Sequence, residues 1–163
     1  MRNRTITLLV AALAAASLLA ACGGDDDDGD GGEQALSKAE YIEQGDAICA
    51  EGDREIEQAA EETFSDLEQG EQPSVEEIGE FGQETVLPSL QRQIDRLREL
   101  PAPGGDEDEV TAIYDAADEG IQTLQDGDPE DFATGGDAAF EDANRLAGEY
   151  GFQNCGGQEG AED

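Results

Sequence analysis

The sequence predicts an all-α domain over residues 37–156, an up-down four-helix bundle whose second helix is kinked or broken near Pro88. Three observations predict it. Apolar and small residues recur every three or four positions in four separate stretches, which is the repeat of one helix face. Ser-x-x-Glu capping signals open two of these stretches, at Ser37–Glu40 and Ser74–Glu77. Clusters of Gly and Pro separate the stretches at residues 70–73, 101–105 and 126–129.

Ahead of the domain, Arg2 and Arg4 precede Ile6–Ala21, 16 residues without a charge. That run is short for a membrane span and suits the apolar centre of a removable signal. Leu19-Ala20-Ala21-Cys22 closes it, and these four residues resemble the lipobox at which bacterial lipoproteins are acylated and cleaved. Residues 1–21 are therefore expected to be a lipoprotein signal peptide, with diacylglycerol on the Cys22 thiol. Several acyl chains on one residue anchor firmly where a single chain holds marginally.

Gly23–Gly32 reads GGDDDDGDGG. It has no apolar residue to bury and its aspartates repel, so residues 22–36 read as the lipidated cysteine and a disordered acidic tether. Asp26, Asp28, Asp30 and Gly31 match the opening of a calcium-binding loop. The match fails at Ser37, where a bidentate Glu belongs, and at Glu33, where an apolar residue usually sits. No metal site is expected there.

The first helix is expected over Ser37–Leu67, with Tyr41, Gly45, Ile48, Cys49, Gly52, Ile56, Ala60 and Phe64 along one face. A glycine inside a helix costs about 1 kcal/mol against alanine. Gly45 and Gly52 on the apolar face therefore suggest a close neighbour or simple tolerance. The second helix is expected over Ser74–Leu100, with Val75, Ile78, Phe81, Val86, Leu90, Ile94 and Leu97 inward. Pro88 interrupts it, because its ring clashes with the Glu84 carbonyl. Asp106–Gln125 forms the third, capped by Asp106 with Glu109 at the box position. Its apolar period is the cleanest in the chain: Val110, Ile113, Tyr114, Ala117, Ile121 and Leu124.

Pro129 starts a short helical piece through Ala133, which Gly135-Gly136 is expected to interrupt. The fourth helix then runs Asp137–Tyr150, with Phe140, Ala143, Leu146, Ala147 and Tyr150 inward. Gly151 stands where a left-handed helix cap belongs, and Phe152 where its hydrophobic contact belongs. Residues 157–163 are a flexible acidic tail.

Three cysteines are present. With Cys22 acylated, Cys49 and Cys155 remain as a pair in an oxidising compartment, which predicts a disulfide. In an up-down bundle the last helix ends beside the first half of the first, where Cys49 lies. The bridge closes a loop of 106 residues, the class for which chain entropy assigns about 4–5 kcal/mol.

Ser37-Lys38-Ala39-Glu40-Tyr41-Ile42, Asp46-Ala47-Ile48-Cys49, Leu100-Pro101-Ala102-Pro103 and Tyr150-Gly151-Phe152 with Cys155-Gly156 together resemble a group of small secreted or lipid-anchored actinobacterial proteins. The resemblance spans about residues 37–156 and is most specific at its two ends. It implies an envelope location and a helical domain with paired cysteines, and no activity. In that group, longer or more basic residues usually stand where this chain has Gly45 and Gly52.

All 42 acidic residues follow residue 21, leaving six basic residues against them and a formal charge of −36 on the mature chain. Phosphate contacts need clustered Lys and Arg, so nucleic acid is excluded as a partner. Anionic lipid is disfavoured too, so membrane attachment rests on Cys22.

Catalytic groups are sparse. The chain has no His, Lys38 is the one lysine, and Ser37 and Ser74 are explained as caps. No phosphate-cradling Gly-rich loop is present. With this many carboxylates some pair lies at any distance, so a pair carries no signal. No catalytic residue and no cofactor is expected. Arg92, Arg96 and Arg98 cluster on the second helix. They read as ion-pair partners of acids such as Asp95 and Glu99, or, through Arg92 and Arg96, as a contact for an acidic ligand or partner.

The expected protein is a non-catalytic interaction or structural module of the cell envelope. Cys22 would hold it on the extracytoplasmic face of the membrane, beside an unspecified protein partner. The alternative is a lipoprotein that binds a cation or a small solute. The solute version requires an apolar pocket between helices larger than packing defects allow.

Overall fold

Capping chemistry starts the first two helices where the sequence places it. In the computed structural model, which describes residues 35–67 and 71–156, the Ser37 backbone N–H donates to Glu40 Oε2 at 3.0 Å and the Glu40 N–H donates to Ser37 Oγ at 3.3 Å. Ser74 and Glu77 repeat the exchange at 2.8 and 3.2 Å. Helix α1 follows over Lys38–Thr63 and α2 over Val75–Phe81. The signal peptide, Cys22, the tether and aborted calcium loop up to residue 34, and the acidic tail lie outside the described residues; Leu36, assigned to the disordered tether, instead packs against the core.

After α2 the helix widens into a π turn over Gly82–Val86, then returns to α geometry as α3, Leu87–Arg98. Pro88 explains the position. It has no N–H to give and its ring cannot pass the carbonyl four residues back; the wider turn spares both, with the Leu87 N–H donating to the Gly82 carbonyl instead. A π turn carries one extra residue, which rotates everything after it by about 100°. The expected stripe already steps five residues from Phe81 to Val86, and beyond the turn Ile94 and Leu97 are buried as expected. Leu87, absent from the expected stripe, is fully buried, Val86 is only half-buried, and Val75 is exposed.

Helix α4, Glu107–Asp126, buries Val110, Ile113, Tyr114, Gly120, Ile121 and Leu124, close to the expected face. The expected cap is not there. Asp106 makes no side-chain bond to the first turn. Its carboxylate instead accepts the Tyr150 hydroxyl at 3.0 Å and lies 3.7 Å from Lys38 Nζ.

Helix α5 runs Pro129–Ala139 straight through Gly135-Gly136, which were expected to interrupt it. The break falls at Phe140, and α6 is Glu141–Tyr150, four residues shorter at its start than expected. Pro129 at the first helical turn, and the Asp128 N–H donating to Asp131 Oδ2 at 3.0 Å, nucleate α5 firmly enough to carry it across two glycines.

The described residues are helices and turns, with no strand among them. The start of α1 meets the end of α3, through Leu36 N–H donating to the Pro101 carbonyl and Glu51 pairing with Arg96. The far end of α1 meets α2, with the Phe64 and Phe81 rings 5.4 Å apart. Helix α2 lies so close to α5 that a Cβ on Gly79 would stand 2.3 Å from the Pro129 carbonyl oxygen.

The chain end closes the domain. Gly151 adopts φ +119°, and the Gly151 and Phe152 N–H groups bond back to Gly148 and Ala147 in the expected left-handed cap. The following residues fold onto α1. Asp46 accepts N–H bonds from Gln153, Asn154 and Cys155 at 2.9, 2.8 and 3.4 Å. One turn on, Cys49 and Cys155 form the expected disulfide, with Cα atoms 5.2 Å apart. It is thus the segment after α6, rather than α6 itself, that is stapled to α1.

Candidate functional site

The disulfide segment forms one wall of a cavity of about 450 Å³. The π turn and α3 contribute Val86, Leu90, Gln93, Ile94 and Leu97; α4 contributes Ile113 and Tyr114. Phe132, Gly136, Asp137, Phe140 and Asn144 come from α5 and α6. Phe152, Asn154 and Cys155 close the wall against Cys49 and Asp53 of α1. Protein interiors rarely leave voids larger than a water molecule, and ligand pockets occupy about 300–1,000 Å³. This space belongs to the second class.

Its emptiness can be traced to particular residues. No side chain of helix α5 is fully buried; Phe132 and Ala139 pack partly buried against the core. Gly136 stands on its cavity wall, where a Cβ would meet nothing within 4 Å. Gly45 and Gly52, flagged by the sequence, shape the opposite side. A Cβ on Gly45 would stand 2.5 Å from the Phe152 ring, and one on Gly52 would stand 2.1 Å from the Gln93 carboxamide. The close neighbour is real at both positions. Because Gly45 and Gly52 have no Cβ, the Phe152 ring and the Gln93 carboxamide pack directly against the α1 backbone.

Gln93 is 6 % exposed, and its Nε2 has no hydrogen-bond partner. Leaving a buried donor unpaired costs about 1–3 kcal/mol. Ser89 Oγ is the other such buried atom among the described residues, and it does not line the cavity. The charged residues on the cavity wall are Asp53 and Asp137, both exposed to solvent. Neither side chain has a partner among the described residues. Partial burial pushes the Asp53 carboxyl above its usual range.

Beside the cavity lies a set of tyrosines. The Tyr41 and Tyr114 hydroxyls hydrogen-bond to each other in the core. Tyr150 packs edge-on to Tyr41 at 6.2 Å, beneath the Lys38 ammonium at 3.8 Å. Burial first raises the pKa of all three phenols; the bond from Tyr41 raises Tyr114 further, and Asp106 does the same for Tyr150.

The arginine cluster is elsewhere. Arg96 pairs with Glu51 at 2.7 Å and Arg92 with Glu55 at 3.9 Å, both on α1. Arg98 bonds Asp118 of α4 at 2.6 Å, and its contact to Asp95 is at 4.0 Å. The acids they meet come mostly from other helices, and neither Arg92 nor Arg96 lines the cavity. Among the described residues no group of three or more His, Cys, Asp or Glu is arranged to hold a metal ion. No helix among them is long and apolar enough to cross a membrane.

Chemically, the cavity offers apolar enclosure, carboxamides, a tyrosine already engaged and two carboxylates. These groups can bind and orient a molecule. Comparison with protein-family models, with curated proteins and with solved structures returns no match to this chain.

Sequence reasoning missed Gln93, Asp53 and Asp46. Gln93 had one available signal: it lies 41 residues beyond Gly52, on the facing helix, as a polar residue next to Ile94 on an apolar face. Asp46 sits three residues before Cys49, and its role is visible only where three backbone N–H groups converge on it.

Proposed function

We propose that this chain is a lipid-anchored, non-catalytic binding protein of the cell envelope, held by Cys22 on the extracytoplasmic face, whose helical domain takes up a small solute. The observation that carries this reading is the 450 Å³ cavity between the helices. A module that served only as a structural spacer would have no use for an interior left unfilled at Gly136, nor for an unpaired buried amide on its wall.

The residue pairings support an up-down four-helix arrangement, in which α2, the π turn and α3 act as one member bent before Pro88, and α5 with α6 as another. In that arrangement the disulfide holds the wall formed by Phe152–Cys155 against α1, and so maintains the cavity. The acidic tether would lift the domain from the membrane, and the same charge would keep it off anionic headgroups.

Two experiments test the reading. Acyl labelling in the producing cell should be lost with Cys22→Ser; labelling that persists refutes the anchor. Native mass spectrometry of the membrane-extracted protein should show a co-purifying small molecule in wild type and not in Gly136→Leu. Identical bare masses, with no small molecule shifting the melting temperature of either form, would refute the solute reading.

A further inference from the structure

The charge on the cavity wall narrows what the cavity can hold, on the reading that it binds a solute. No Lys or Arg lines it, and Arg92, Arg96 and Arg98 are engaged with acids elsewhere. The charged groups that do line it are the carboxylates of Asp53 and Asp137, on a chain of formal charge −36 after the signal. An anion placed there would meet like charge with no counter-ion, and like-charge contact disfavours a ligand. Between these acids the walls are apolar and include three phenylalanine rings, Phe132, Phe140 and Phe152. Aromatic faces add attraction for a positive charge. The Gln93 carboxamide adds no charge to this wall, and its Nε2 is covered where it packs against Gly52.

We propose that the cavity binds a small amphipathic cation. The apolar body lies among the phenylalanines, and the positive charge faces Asp53 and Asp137. The two carboxylates set the preference for charge.

The test uses the mature, oxidised Cys22→Ser chain and three matched probes, para-butylbenzamides bearing an aminoethyl, a hydroxyethyl or a carboxyethyl group on nitrogen. All share the ring and the carbonyl acceptor and differ in charge. Calorimetric titration should rank them amine, alcohol, carboxylate, with the amine at least about fivefold tighter than the alcohol. The amine's advantage should shrink with salt and vanish in Asp53→Asn with Asp137→Asn, while Glu119→Gln leaves it intact. Gly136→Leu should abolish binding of all three, and Gly135→Leu, on the same helix but off the cavity wall, should not.

If the alcohol binds as well as the amine, if the carboxylate binds best, or if the paired Asp variants keep the amine's advantage, the cation inference is overturned and solute binding survives. If no probe binds wild type, or Gly136→Leu binds as wild type does, both fall.

Discussion

The densest information in this chain sits at a few residues around Asp46. Its carboxylate gathers three consecutive N–H groups of the chain end, and charge-assisted bonds of this kind are the strong ones. Asp46→Ala should lower unfolding stability by about 1–3 kcal/mol in denaturant melts, and the Cys49–Cys155 bond should reduce faster in a thiol-release assay. Gly45→Ala should cost about 1–3 kcal/mol by overpacking, because the Phe152 ring must move from 2.5 Å. Gln93→Met should run the other way. It replaces an unpartnered buried amide with an apolar side chain of similar shape, so the protein should melt higher. The tyrosines give a pH prediction with a definite sign. Their folded pKa values lie above the ordinary value near 10. The fold therefore holds their protons more tightly than the unfolded chain, a contribution complete below about pH 10 and lost as pH rises beyond it. The chain has three Tyr and no Trp, so tyrosinate absorbance should stay near zero at pH 10 and rise only with alkaline unfolding.

At the scale of elements, the chain divides into stretches that local rules decide and stretches that neighbours decide. The capping boxes of α1 and α2, the face of α4 and the glycine cap of α6 were all legible, because each depends on residues within a turn or two of one another. Asp106 was misread as a cap because its partners, Tyr150 and Lys38, are remote in sequence. Gly135-Gly136 was misread as a break because glycine propensity is a weak prior against a well-started helix. The inward face of α3 was legible, since Ile94 and Leu97 are buried and Leu90 packs against the core, and the five-residue step from Phe81 to Val86 is the trace the π turn leaves. That step suggests a test. Deleting Glu84 together with Pro88→Ala should convert the π turn to α geometry without re-phasing Leu87, and should leave a folded, disulfide-bonded protein by circular dichroism and thiol count. Deleting Glu119, in the middle of α4, should not.

Taken whole, the domain is a small acidic fold drawn together by a few cross-links. Lys38, Arg92, Arg96 and Arg98 each bridge two helices, and the disulfide joins residues 106 apart. With a formal charge of −34 on the chain, self-repulsion opposes the compact state. Added salt should therefore raise the melting temperature, the reverse of what a fold held by surface ion pairs would show. The cavity was the least legible feature in the sequence, since emptiness is set by how far α5 and α6 stand from α3, a distance no periodicity encodes. The most direct measurement is amide chemical-shift mapping of the isotope-labelled mature Cys22→Ser chain during titration with the aminoethyl probe. The account predicts saturable shifts confined to Val86–Leu97, Phe132–Asn144 and Phe152–Cys155; shifts spread over the acidic surface that never saturate would contradict it.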